Sequence, residues 1–205
     1  MADPKALERA RSWAAMRDSG GWPAESKKRS MSLQRADLSG ADLTRLDFNA
    51  GADFREAILN GADLSGSNLT AADFTGALCA QLNPEDVETY TSFRDAVLDR
   101  ANFSHATLTG TLLSSSSLVD ATFYSTNGMW VSFINSDLTR ATFTQSTMAW
   151  STFRDAKLCD ARFVNADLFR TRFDGADLTG VTFLKCNLAE ATFKGARMPD
   201  GSIHE

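Results

Sequence analysis

The chain has 205 residues, 43% of them hydrophobic, with a formal net charge of −5 and a pI near 5.1. That balance describes a soluble globular composition, and no apolar run approaches the ~20 residues of a membrane-spanning helix. Three scattered cysteines (Cys79, Cys159, Cys186) and an N-terminus without an apolar core and cleavage site argue against an exported, disulfide-bonded protein and point to the cytoplasm.

The first predicted element is a short N-terminal helix within residues 1–21. Asp3-Pro4 pairs an N-cap with a proline at the first helical position. Leu7, Ala10, Trp13 and Ala14 follow at helical spacing, and Gly20-Gly21 ends the element. Residues 22–31, with Trp22-Pro23 and the basic run Lys27-Lys28-Arg29, read as a linker. That run is too short to argue for nucleic acid.

From residue 32 to 198 the chain follows a step of five. The large centres begin Leu33, Leu38, Leu43, Phe48. One extra residue near Asn49-Ala50-Gly51 moves the next centre to Phe54, and a corner bulge is expected to absorb it. Between Phe93 and Met198 every fifth residue is large and apolar except Gly128. Two residues before a centre sits a small one, such as Ala96, Ala101, Ser116 or Ala141. In extended backbone these two point the same way, and polar neighbours such as Asn102, Ser104, Thr142 and Thr144 point the other way. Five is odd, so a straight strand would flip faces at each repeat. The chain must therefore turn once per repeat, which makes a β-solenoid around a filled axis.

Alternate centres in the long block are Phe, with Leu113 the exception, and the other alternate set holds no Phe. A coil of ten residues encloses too little space for two such rings. A coil of twenty gives four sides, with Phe stacked on two opposite sides and Leu or Met on the others. The rhythm lapses between Cys79 and Phe93. There Asn83-Pro84-Glu85-Asp86 carries helix-start chemistry, so an inserted loop with a helical turn is expected at 80–92. Sides counted from Phe93 give five further coils to Leu188, then Phe193 and Met198. The total is about eight coils and ~38 Å of rod at the usual strand spacing. The N-terminal helix is expected to cap the first coil, and residues 199–205, with Pro199 and the turn Asp200-Gly201, are expected to cover the last.

Units such as Ala36-Asp37-Leu38-Ser39-Gly40, Ala62-Asp63-Leu64, Ala101-Asn102-Phe103 and Ala166-Asp167-Leu168 resemble those of the pentapeptide-repeat family over roughly residues 31–198. The resemblance implies an all-β fold, a right-handed four-sided parallel β-helix. The ending Met198-Pro199-Asp200-Gly201-Ser202-Ile203-His204 is similar to that of many cyanobacterial members. The family serves several roles, so the resemblance is weak for function.

No catalytic constellation, metal motif or phosphate loop emerges, so neither an enzymatic activity nor a cofactor is expected. His105 occupies an outward corner and His204 the tail. Ser114 to Ser117 have no base nearby in sequence. Charge is uneven along the chain: residues 31–90 hold 3 bases and 10 acids, net −7, and residues 91–205 hold 11 and 12, net −1. Many acids fill the polar slot just before a centre. Asp42, Asp63, Glu85, Asp86 and Glu88 form a candidate acidic surface, and some family members act on type II topoisomerases by imitating DNA. On the side centred at Leu108, Gly128, Met148, Leu168 and Leu188, twenty-residue columns place Met129, Trp130, Trp150, Phe169 and Arg170 on one outer face, with Arg170 able to stack on Trp150. This is the candidate partner surface, unless Met129 or Trp130 folds inward to fill the hole at Gly128. The expected role is a rigid, non-enzymatic protein-binding scaffold, with a DNA-mimicking modulator of gyrase as the alternative. No direct nucleic-acid or membrane contact is expected, and the choice between a monomer and a dimer joined at the C-terminal ends stays open.

Overall fold

In a computed structural model the described residues are 2–18, 31–48, 51–80 and 90–205, with the side chains of 13–18 left aside. Linker residues 22–30, the residues at 49 and 50, Gly20-Gly21, and the expected helical turn with Glu85, Asp86 and Glu88 lie outside them, while Met31 is described and buried against the first coil.

Parallel bridges tie the repeats into four columns. One runs Ser32, Asp53, Asp73, Asn102, Thr122, Thr142. It continues through the short strands β1 (Thr142–Thr144), β2 (Arg162–Val164) and β3 (Thr182–Leu184), which form a parallel sheet in that order. The others start at Asp37, Asp42 and Asp47. Partners are 21 apart in the first layer, as from Ser32 to Asp53, and 20 apart in the next, from Asp53 to Asp73, as one extra residue after Phe48 requires.

Most corners are type II turns. The carbonyl of a centre accepts the N–H three residues on, as from Ala36 to Leu33 (3.0 Å) and from Ala141 to Leu138 (2.9 Å). The residue between, two past the centre, is left-handed: φ is 57° at Arg35, 60° at Arg100 and 58° at Arg140. Side chains other than glycine resist this conformation by roughly 1–2 kcal/mol. They are held there because the peptides on both sides are bonded, as in Arg35 N–H to Arg55 O (2.9 Å) across the layers and Ala36 N–H to Leu33 O (3.0 Å) across the turn. Two substitutions expose this term. At Gly40, with φ 65° and open space beside it, Gly40→Ala is expected to destabilise by ~1 kcal/mol. At Ala71, φ 57°, Ala71→Gly is expected to gain a similar amount. Denaturant melts of the pair check both signs.

The centres fill the axis. Phe54, Phe74, Phe103, Phe123, Phe143 and Phe163 stack with centroids 4.6–5.2 Å apart and planes within 9°. On the opposite side Phe133, Phe153 and Phe173 stack likewise and meet the first stack edge-on, as Phe133 meets Phe143 at 88°. The alternation of Phe and Leu thus becomes two facing aromatic stacks, as expected. Phe48 departs from it. It stands in an aliphatic column and meets Phe54 edge-on at 5.4 Å.

The insertion changes the phase expected from the sequence. Asp63 bridges Ser92 and Asn68 bridges Val97, while Asp73 bridges Asn102. Phe93 and Leu98 therefore close the coil begun by Phe74 and Cys79, and the next coil starts at Phe103. Side count alone could not show this, because only the bridges say where a coil is interrupted.

Helix α1 (Pro4–Asp18) starts as its sequence suggests, the Asp3 carboxylate accepting the Lys5 N–H at 2.9 Å. It lies against the first coil. Ala6 and Ala10 are fully buried, the Asp3 N–H reaches the Asp37 carbonyl, and the Arg11 guanidinium reaches the Asp42 carbonyl at 3.0 Å. At the other end the tail folds back: Arg197 bridges Ile203 antiparallel and the Gly195 N–H donates to the His204 carbonyl at 2.7 Å. Phe183, Leu188, Phe193 and Met198 in the last layer are only partly buried. No helix among the described residues is long and apolar enough to cross a membrane.

Candidate functional site

The aromatic columns come together as the twenty-residue register requires. Asn127, Thr147, Asp167 and Asn187 are bridged in turn, so the residues that follow them lie side by side. Trp130 and Trp150 stand at successive corners with φ 56° and 63°, and they are 56% and 43% exposed. Met129 and Phe169 are half-buried, and Ala149, between them in the same column, is buried although its position faces outward. The Trp150 and Phe169 rings meet edge-on, 5.9 Å apart at 82°. The Arg170 guanidinium lies 4.4 Å from the Trp150 ring centre and 5.1 Å from that of Phe169, the stacking its spacing suggested.

The hole at Gly128 is filled, but not by Met129 or Trp130. A methyl group added at Gly128 would fall on the thioether sulfur and end carbon of Met148, one layer on. Met148 is fully buried and leans into the space that a Leu would occupy. A hydroxyl also enters this corner. Ser151 Oγ accepts the Val131 N–H at 3.0 Å and donates to the Gly128 carbonyl at 2.7 Å, bridging two groups that most corners join directly. Ser67 does the same between Leu46 and Leu43. Local repair thus accounts for Met148 and Ser151 and leaves Trp130 in solvent.

Sequence reasoning found Arg170 but passed over what holds it. Its Nε donates to Glu190 Oε2 at 2.5 Å, in the layer beyond. The signal was in the column itself, where Arg170 and Glu190 stand twenty apart. Asp120 and Arg140, twenty apart in another column, form a two-pronged pair at 2.7 Å.

The acids of the early coils have a structural task. Asp42 Oδ1 accepts the Thr44 N–H at 3.1 Å and its hydroxyl at 2.9 Å, and Asp63 Oδ1 accepts the Ser65 N–H at 2.9 Å. Asp37, Asp53, Asp73, Asp137 and Asp177 make the same bond to the N–H two residues on. Each carboxylate thereby caps the turn of its own repeat. The Thr44 N–H and hydroxyl, with a smaller contribution from the Arg11 charge, hold the Asp42 carboxyl below its ordinary range. Asp42 and Asp63 are neighbours in one column, but Asp37, Asp47 and Asp53 belong to the three others, so the acids surround the rod. Arg55 pairs with Asp53 at 2.8 Å, and Arg35 pairs with Glu56 at 2.7 Å.

The serine run makes no nucleophile. Ser116 is buried and donates to the Leu113 carbonyl, Ser117 donates to Asp99, and Ser114 meets Ser132. The three cysteines are unpaired. Burial pushes the Cys79 thiol far up, and partial burial, with Asp177 second, raises Cys159. Cys186 is partly buried and points its thiol at the Phe163 carbonyl, 3.3 Å away.

A parallel solenoid with four columns, filled by stacked centres, defines a repeat-built rod. The pentapeptide repeats model matches residues 50–77, 89–114, 148–183 and 166–200 in eight copies, and the chain belongs to that family, whose known structures are right-handed four-sided β-helices. Among solved structures it is similar to QnrB1, a plasmid-mediated fluoroquinolone resistance protein, at 16% identity over 82% of this chain and 88% of that one, with a TM-score of 0.64. It is also similar to HetL, a pentapeptide repeat protein involved in heterocyst differentiation regulation from the cyanobacterium Nostoc, at 29% identity over 86% and 76% of the two chains, with a TM-score of 0.26. No curated protein matches the chain in sequence.

Proposed function

We propose that this protein is a non-enzymatic rod that binds a protein partner through the corner formed by Met129, Trp130, Trp150, Phe169 and Arg170. One observation carries the reading: two tryptophans in one corner column stand in solvent while the core defect beside them is filled by Met148. Exposed indoles contribute nothing to the core. Trp and Arg are the side chains that most often anchor interfaces. In this reading helix α1 caps the first of about eight coils, the rod is rigid enough to present the corner without rearrangement, and three unpaired thiols suit the cytoplasm.

The test is affinity capture from the source organism with the intact chain and with Trp130→Ala/Trp150→Ala. Alanine keeps the left-handed corners at the same conformational cost, so the melting curve is expected to stay within about 0.5 kcal/mol. Capture of the bound protein is expected to fall tenfold or more, since an anchor of this kind typically contributes ~2 kcal/mol. Undiminished capture would sink the reading. A DNA mimic acting on gyrase has less behind it: turn-capping acids on all four sides, and a likeness to QnrB1 that concerns the fold. Supercoiling by gyrase left unchanged at high protein concentration would remove it.

A further inference from the structure

The corner also carries chemistry that says what kind of partner it takes, granted the protein-binding reading above. Arg170 is fixed three ways: its backbone N–H bonds to the Ala189 carbonyl at 3.0 Å, its guanidinium Nε bonds to Glu190, and the guanidinium lies over Trp150. A guanidinium has five N–H donors. Glu190 takes the one on Nε. Among the described residues no polar group is bonded to the two terminal nitrogens, and the side chain is 42% exposed. Stacking uses the face of the group and leaves this edge free. A free guanidinium edge presents two parallel donors, the geometry that matches a carboxylate. Because Glu190 and Trp150 already hold the group still, little side-chain freedom remains to be lost on binding.

The surroundings choose among anions. Asp167 stands on the same side as Arg170 and Glu190 is bonded to it, while the next cation along the chain, Arg172, is taken by Asp174 at 3.0 and 3.1 Å. A run of phosphates would meet these carboxylates, whereas a single carboxylate at Arg170 would not. Trp130, Trp150 and Arg170 occupy successive layers, so the exposed indole and the guanidinium are rooted roughly 10 Å apart along the rod. An extended peptide covers that distance in about three residues.

We propose that the corner recognises a short extended segment of a partner protein bearing an Asp or Glu about three positions from a large apolar residue. The carboxylate is taken by the free edge of Arg170 and the apolar side chain lies against Trp130. Glu190 is a positioning residue that acts through Arg170.

Selection from a displayed library of random short peptides on the immobilised full-length chain tests this, with Arg170→Gln, Glu190→Gln and Trp130→Ala/Trp150→Ala run in parallel. Circular dichroism melts confirm that each variant is folded. The wild type is expected to enrich peptides with the acid and the apolar residue at that spacing. A synthetic peptide from that set is expected to bind Arg170→Gln at least tenfold more weakly, and Glu190→Gln with a smaller loss. Selection on Arg170→Gln is expected to lose the acid and keep the apolar residue. Enrichment that lacks an acid, or retains it on Arg170→Gln, overturns the carboxylate assignment and leaves the tryptophan corner standing. No enrichment, or the same peptides on the double tryptophan variant, overturns both.

Discussion

Phe143→Ala is expected to be among the most damaging single substitutions in the rod, lowering stability by ~3–5 kcal/mol. The ring is fully buried between Phe123 and Phe163, each 4.6 Å away with planes within 1° and 7°, and it meets Phe133 and Phe153 edge-on. Its removal opens a void in a layer whose backbone is bonded on both sides, so the walls have little freedom to close. Phe193→Ala provides the comparison. That ring is partly buried and stacks on one Phe, Phe173, at 5.3 Å. Its loss is expected to be about half as large, because the last layer can rearrange without breaking a column. Denaturant titrations of the two variants measure the difference, and equal losses would show that position in the stack does not govern stability.

Met148→Ala is the second large effect, expected at the upper end of ~2–5 kcal/mol. Leu168 in the same column has full-sized centres, Met148 and Leu188, on either side. At Met148 the neighbour one layer back is Gly128, and the thioether fills both places. Truncation therefore empties two layers at once. Gly128→Leu, which restores the sequence pattern, is expected to destabilise by ~1–3 kcal/mol on its own because the space is taken. The two changes together are expected to cost well under their sum, the leucine occupying what the methionine left. A double-mutant cycle reads that coupling directly, and additive losses would mean that Gly128 and Met148 do not share one space.

These pairs also show how far residues alone lead. The step of five dictates inward and outward positions because strand geometry is local, and the alternation of Phe and Leu dictates four sides because rings need room. Arg170 over Trp150 follows from the same arithmetic. What the chain did not disclose depends on groups that meet across layers through specific rotamers or backbone bonds. The phase at Phe93 is set by the bridge from Asp63 to Ser92. Met148 in place of a missing centre is a choice of side-chain direction, and the bridging Ser151 hydroxyl resembles any other small residue until its two bonds are seen. Asp37, Asp42, Asp53, Asp63 and Asp73 are each bonded within their own repeat, a task that a tally of charge does not register.

The bridge offsets carry one more consequence. Between Asp63 and Ser92 the offset jumps to 29 residues, and from Ser92 to Leu112 it is 20 again. The layers on either side keep their stacking as if nothing intervened, so a change in length there stays local and is not transmitted to the core. Structurally this corner is a socket. Segments of other length and content could be spliced between Ala80 and Tyr90, making the rod a carrier for grafted sequences held at a fixed height along its axis.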